Sequence, residues 1–358
     1  MAARIIMHVD MNHFFSAVEE REHPEYKGKP IIVGADPKEG KGRGVVSTCN
    51  YEARKFHVKS GMPISRAWKL CPQAIYLPVN YKLYGQASSN IMAILRRYSD
   101  RFEQMGFDEA FLDVSLKGNY EEAKKLAQEI KKEIHEKEGL TCSIGIGPNK
   151  LVAKIASDFQ KPDGLTLVLE ENVKNFLWPL PVDKLWGVGK KTSRRLHEMK
   201  IETIGDLANY DPSLLIERFG GVLGTQFHLM AHGIDRSEVV EGWETKSISR
   251  EFTFEEDTFD SNLIYETLGK LCEEVYVDVK KSNFHFKTVS IKIRYSNFET
   301  HTHSRTLPFL TNRLKDIQKI CRELIEKFLQ QNRKIRLIGA KVSKLVSIEK
   351  QKTLDEEK

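Results

Sequence analysis

This sequence has few cysteines, no long apolar run and little net charge. Its five cysteines, Cys49, Cys71, Cys142, Cys272 and Cys321, are far apart in 358 residues and include no Cys-x-x-Cys pair. That spacing excludes a zinc site built on such a pair and argues against a disulfide framework, so buried free thiols are expected. No apolar run is long enough to span a bilayer, and the N-terminal one is too short for a signal peptide and ends in Asp10. With 30% charged residues and a mean hydropathy of -0.43, a soluble intracellular protein without a membrane partner is expected. The net charge is only +6, but residues 246–350 carry 20 Lys plus Arg against 14 Asp plus Glu, so the basic excess lies in the C-terminal third. Such a placement suggests a segment that holds a polyanion. The length exceeds one compact core and implies several domains.

What is present is a set of carboxylates in apolar surroundings. The run at residues 4–11 reaches Asp10, and about a hundred residues later the run at 105–113 delivers Asp108 and Glu109 side by side. If the two runs are neighbouring strands, three carboxylates converge at one sheet edge, where bound cations would relieve their repulsion. That is the sequence pattern of a two-metal phosphoryl-transfer site. Adjacent side chains of a strand face opposite sides, so a turn beginning near Gly106 must re-aim one of the pair. An acidic dipeptide also suits a solvated turn. Asp10 favours the site reading, because strand ends are where α/β and α+β sheets tend to place chemistry.

Periodicity and punctuation order the rest. Residues 4–10 read as a strand, and 11–78 as an insertion with a helix near 12–20, a strand at 30–34 and a Gly-rich loop at 40–44. Residues 79–165 return to the first sheet, with a helix at Tyr120–Glu138 that turns Ala123, Leu126, Ile130 and Ile134 to one side, and a strand at 141–146. This order suits a ferredoxin-like domain. A module with short helices follows, in which Gly187 and Gly189 precede Lys190 and a helix from Thr192, and further helices open near Ile204 and around Gly220. Such glycines let backbone N–H groups approach a phosphate, although they also cap helices. Residues 234–245 lack a period and read as a linker. Strands at 247–254, 286–295, 300–307 and 335–346, with helices at 260–279 and 312–330, give a β-α-β-β-α-β order. Within 286–295, Val289, Ile291, Ile293 and Tyr295 alternate with Ser290, Lys292 and Arg294, which suit phosphates. Arg333, Lys334, Arg336, Lys341 and Lys344 add a basic rim, which an edge strand can also carry against association. His301 and His303 share a face with Arg305 but lack a third ligand, and read as polar surface.

The blocks at residues 8–19, at 50–56, at 108–113 and at 149–158 with 161–164 together resemble the Y-family translesion DNA polymerases of the DNA polymerase IV type, and the resemblance runs to about residue 346. It implies an α+β chain with a ferredoxin-like palm (1–11 and 79–168), inserted fingers (12–78), a helix-hairpin-helix thumb (169–233), a linker (234–245), a C-terminal β-α-β-β-α-β little-finger domain (246–346) and a tail (347–358). By the same resemblance Asp10, Asp108 and Glu109 are catalytic and, with the carbonyl of Met11, hold two Mg²⁺ ions, with Mn²⁺ a substitute. Phe14, Phe15, Val45, Ser47, Thr48, Tyr51, Arg54 and Lys161 would meet the incoming nucleotide, Phe15 as a steric gate under its sugar, and Val45 and Ser47 as a roof of small side chains. Gly187, Gly189, Lys190, Arg250, Lys292, Arg294, Arg336 and Lys341 would meet DNA.

The implied activity is low-fidelity, template-directed addition of deoxynucleoside triphosphates to primer-template DNA, without a proofreading domain, by a monomer in the cytoplasm that works on the chromosome. Departures from the family pattern are Gly106-Phe107 in place of Ser-Ile, and His13. The last eight residues, 351–358, hold Gln and Leu at a spacing that suggests a sliding-clamp peptide. Acids stand where its apolar anchors belong, so little clamp affinity is expected. Two other classes compete: a nucleotidyl cyclase with a palm-like sheet, which would not need the glycine module or the basic domain, and a non-catalytic DNA-binding scaffold relative, which would not need all three carboxylates.

Overall fold

The computed structural model describes residues 4–242 and 244–347, in two compact units, Met1–Gly242 and Trp243–Lys358. The reading of the 351–358 peptide lies outside the described residues, as does most of the tail. Among the described residues no helix is long and apolar enough to cross a membrane.

In the first unit β1 (Ile6–Met11) leads through α1 (Phe14–Glu22) into a small sheet of β2 (Ile31–Gly34), β3 (Val46–Cys49) and β4 (Ile75–Leu77), accompanied by α2 (Tyr51–Lys55) and α3 (Ile64–Leu70). The chain returns through α4 (Tyr81–Arg97), β5 (Arg101–Gln104), β6 (Glu109–Asp113), α5 (Tyr120–Glu138), β7 (Cys142–Gly147), α6 (Lys150–Phe159) and β8 (Leu165–Leu167). These strands form a sheet in the order β5-β6-β1-β7-β8. Two β-α-β units interleave in it, each holding a strand of the other between its own two, which is the ferredoxin-like arrangement with β8 added.

The helices follow from their spacing and ends. Ala123, Ala127, Ile130 and Ile134 recur every three or four residues along α5, so they share the face that packs, with Tyr84, Ile91 and Leu95 of α4, on Met7, Val9 and Leu112. Asn119 starts α5 by accepting from the backbone N–H groups of Glu121 and Glu122, and Gly139, at φ 63°, ends it. Truncating a side chain as buried as Ile130 to alanine costs about 2–5 kcal/mol. The opposite face of the sheet receives α6, which lies so close to β7 that a Cβ at Gly145 would sit 2.0 Å from the Ala153 carbonyl oxygen.

The unit continues with α7 (Val173–Leu177), α8 (Lys190–Glu198), α9 (Ile204–Ala208), α10 (Pro212–Phe219) and α11 (Gly221–Ala231), which share a core around Leu196, Leu207, Leu215 and Phe227. Residues 234–241, expected as part of a linker, are instead bound along this unit as a strap. The Asp235 carboxylate accepts from the Leu151 N–H at 3.1 Å, the Val240 N–H donates to Glu103 Oε2 at 3.1 Å, and Val239 is buried beside Ile6, Phe111 and Ala153. Periodicity could not show this, because the strap is held by single contacts rather than by a repeating face.

The second unit runs β9 (Ser247–Thr258), α12 (Ser261–Lys281), β10 (Phe284–Tyr295), β11 (Thr300–Thr311), α13 (Leu314–Leu329) and β12 (Ile335–Ser343), in the expected order of elements. Its sheet order is β11-β10-β12-β9, antiparallel throughout. Here the second strand of each β-α-β unit is central, whereas in the first sheet the central pair, β1 and β6, are first strands. Val289, Ile291 and Ile293 face α12 and α13, where Cys272 and Cys321 are also buried. All five cysteines are free and buried.

Candidate active site

The antiparallel pairing of β1 with β6 sets Asp10 opposite Glu109, so both side chains share a face with His8 and Phe111. Asp108 stands one residue before β6, in a tight turn that the Met105 N–H closes by donating to the Glu109 carbonyl at 3.0 Å. The Met11 N–H donates to the Asp108 carbonyl at 2.9 Å, which ties that turn to the end of β1. The expected re-aiming of one member of the acidic pair is therefore performed by the β5–β6 turn. Asp10 and Asp108 line a cavity of about 120 Å³ together with Thr48, Tyr51, Arg54 and Lys161.

The charges in this site are unevenly neutralised. Burial, then repulsion from Asp10 and Glu109, pushes the Asp108 carboxyl up to about 6. Glu109 is held down to about 2, first by its hydrogen bond with His8 and, against the cost of burial, by Lys154. Its Oε2 lies 2.5 Å from Lys154 Nζ and 3.3 Å from His8 Nε2. Burial lowers the pKa of His8. Lys161 Nζ lies 2.7 Å from both Asp10 Oδ1 and Asp158 Oδ1; burial works against its charge, but those carboxylates raise its pKa. Ligand atoms of His8, Asp10 and Glu109 lie within 4.8 Å of one another, close enough to hold one cation.

The wall opposite these carboxylates is built by α2. Asn50 caps it by accepting from the Ala53 N–H, which starts the helix so that Tyr51 and Arg54 reach the cavity. The Arg54 guanidinium lies 4.8 Å from the Tyr51 ring centroid, and its Nε donates to the Cys49 carbonyl at 3.2 Å. His13 meets the Tyr51 ring edge-on at 5.0 Å, and burial, then Arg54, lowers its pKa to about 4. Phe14 borders the cavity but its side chain is buried in the core. Phe15 is half-buried and stacks on Tyr84 at 4.2 Å and 14°, with Phe107 edge-on at 5.9 Å. Val45, 48% exposed, and Ser47 do not line the cavity.

Sequence reasoning gave no role to His8 or Lys154. The signal lay in α6, where Lys150, Lys154 and Asp158 recur at four-residue spacing on one helix face.

Among the residues expected at DNA, Gly187, at φ 87°, and Gly189 precede α8, and a Cβ at either would meet nothing within 4 Å, so the helix N-terminus is open to an anion. In the second unit Lys292, Arg294 and Lys341 share the sheet face turned away from the helices, among Ser249, Ser290 and Thr302. Lys292 is paired there with Glu251 at 2.8 Å. Arg250 corrects the expectation: it lies opposite Ala340, on the helix side, and is neutralised by Asp278 and Glu274. Arg336, 3.7 Å from Asp257, lies over the Phe298 ring. His301 and His303 both contact the Phe328 ring, and His301 is hydrogen-bonded to Glu299 at 2.8 Å, so they act as packing groups.

Residues 9–158 match the model of the impB/mucB/samB family, residues 245–355 that of its C-terminal domain, and residues 170–201 that of the IMS family HHH motif. DNA polymerase IV of Methanoculleus marisnigri is 50% identical over 343 residues, 96% of this chain and 95% of that one. DNA polymerase IV 2 of Methanosarcina mazei is 47% identical over 352 residues, 98% and 95% of the two chains. Among solved structures, the Y-family DNA polymerase chimera Dbh-Dpo4(243-245)-Dbh superposes with a TM-score of 0.87 at 34% identity, covering 96% of this chain and 99% of that one. An insertion ternary complex of Dbh DNA polymerase gives 0.68 at 33% identity, with 96% and 99% coverage.

Proposed function

The chain belongs to the impB/mucB/samB family, that of the Y-family DNA polymerases of the DNA polymerase IV type, and from that premise we infer how its residues divide the work. It is a template-directed, low-fidelity translesion DNA polymerase that adds deoxynucleotides to a primer 3′-hydroxyl without proofreading. The observation that carries the assignment of its site is the meeting of Asp10 and Asp108 with Tyr51, Arg54 and Lys161 around one cavity, with Glu109 opposite Asp10.

The family implies divalent metal ions, and the donors fit them. Three carboxylates and the Met11 carbonyl are hard oxygen ligands, and the Asp108 pKa is raised by burial and then by repulsion from Asp10 and Glu109, which a cation would relieve. We assign Asp10, Met11, Asp108 and Glu109 as ligands of two Mg²⁺ ions, with Mn²⁺ able to substitute. When bound, such ions favour deprotonation of the attacking hydroxyl and neutralise the triphosphate.

The protein's own groups supply the rest. The Tyr51 hydroxyl, Arg54 guanidinium and Lys161 ammonium donate to the triphosphate, for which Lys161 must leave Asp10. Phe15 lies under the sugar, backed by Tyr84, and Thr48 completes the wall near the base. Gly187, Gly189 and Lys190, with Lys292, Arg294 and Lys341, hold DNA phosphates. The first unit then comprises palm, fingers and thumb, and the second is the little finger. The protein acts as a monomer on chromosomal DNA in the cytoplasm.

Asp108→Ala tests the site. Nucleotide incorporation in Mg²⁺ should be abolished while primer-template affinity stays within a few-fold, because the loss falls on the transition state rather than on DNA binding. Appreciable residual turnover would sink the assignment.

A further inference from the structure

The polymerase roles leave Lys154 and His8 without a task. Neither lines the cavity, yet both face Glu109. Lys154 reaches from α6 to within 2.5 Å of Glu109 Oε2, and His8, fully buried on β1, faces the same oxygen at 3.3 Å. The other ring nitrogen of His8 is 2.7 Å from Ser157 Oγ, which also donates to the Lys154 carbonyl at 2.8 Å. The hydroxyl's proton goes to that carbonyl, so His8 Nδ1 donates to Ser157, and Nε2 of the neutral ring accepts from Lys154 Nζ at 3.4 Å; the ammonium, steadied by His8, is what holds Glu109 Oε2. Among the described residues no hydrogen bond reaches Oε1.

A carboxylate with both oxygens free can chelate one dication with both, whereas one whose second oxygen is held can offer only the first. An ammonium at this distance also opposes a cation that binds beside it. Resting on the polymerase reading, we propose that Lys154, braced by His8 and Ser157, is a positioning residue: it holds Glu109 Oε2, leaves Oε1 as the ligand atom, and keeps the metal affinity of the substrate-free site low. Lysine suits the role because a compact point charge can hold one oxygen without the two-pronged grip of a guanidinium.

The test uses the full-length chain with Lys154→Met and Lys154→Arg. Mn²⁺ binding is titrated by electron paramagnetic resonance without DNA or nucleotide, and single-nucleotide insertion is measured separately. Lys154→Met should tighten Mn²⁺ binding about fivefold or more, since a repelling charge is gone. Its maximal insertion rate should fall about tenfold or more with the nucleotide KM nearly unchanged, and Lys154→Arg should recover part of that rate. If the methionine variant melts too low to assay, Lys154→Gln carries the same expectations. Unchanged Mn²⁺ affinity with normal insertion would overturn the proposal, as would a lowered melting temperature with neither change. A wild type that binds Mn²⁺ but inserts no nucleotide would defeat the polymerase reading instead, and tighter Mn²⁺ binding by Lys154→Met would still support the hold on Glu109.

Discussion

Asp108 and Glu109 are adjacent in the chain, yet their environments move them in opposite directions, to about 6 and about 2. Because the Asp108 pKa is raised above its unfolded value, the folded state binds more protons there between about pH 4 and 6, and this contribution to stability declines as pH rises through that window. Glu109 does the reverse, adding stability above its ordinary pKa near 4.5 and losing it as pH falls towards 2. At pH 7.5 both groups are ionised and Asp108 is repelled by Asp10 and Glu109 more than Lys161 relieves it, so Mg²⁺ should raise the melting temperature more at pH 7.5 than at pH 5. Equal shifts in differential scanning fluorimetry would contradict this. Phe15→Ala should raise ribonucleotide insertion by roughly two to three orders of magnitude, since a steric penalty of ~3 to 4 kcal/mol is lost. The ring is half-buried and stacked on Tyr84, so its stability cost should fall below the ~3–5 kcal/mol of a core phenylalanine. A lowered melt with an unaltered deoxy-to-ribo ratio would remove the gate assignment. The acids were legible because each interrupts or ends an apolar run. His8 and Lys154 were not, because their partner Glu109 lies about a hundred residues from one and 45 from the other.

At the scale of elements, α6 is the piece on which the site depends. It presents Lys154 to Glu109 and, one turn earlier, Lys150 to Glu103, an ion pair at 2.7 Å with side chains 7% and 1% exposed. Glu103 Oε2 also accepts from Val240, so the pair pins the strap to the sheet. Glu103→Ala should cost about 3–5 kcal/mol by stranding a buried ammonium, and adding Lys150→Met should restore much of the loss. Urea unfolding of the two variants decides this; equal stabilities would show that Lys150 reaches solvent when its partner is gone. Elements with a sustained period, such as α5, α13 and β10, were readable within a few residues of their ends. The strap was not, since ion pairs and single backbone bonds leave no periodic trace.

At the scale of the whole molecule, the basic surplus and the open hydroxyl-rich sheet face belong to the second unit, so it should carry much of the salt-sensitive DNA affinity. A chain ending at Gly242 keeps the strap, which an end near Asp235 would remove, and should retain some insertion at low salt. Its log K against log salt should be shallower than that of the full chain, because fewer phosphates are neutralised. Parallel slopes would argue against this. The sequence of elements was legible in both units, but strand order in the second sheet was not, because the same β-α-β-β-α-β run can interleave around either pair of strands. In the first sheet β1 is central, with Asp10 paired to both Glu109 and Ser143. β1 leaves the ribosome before β6 and β7 and therefore waits for both neighbours. At about 5–20 residues per second, that leaves an apolar segment unpaired for several seconds to tens of seconds. During that interval the finished fold does not yet cover it, so protection of β1 begins only when β6 and β7 have been made.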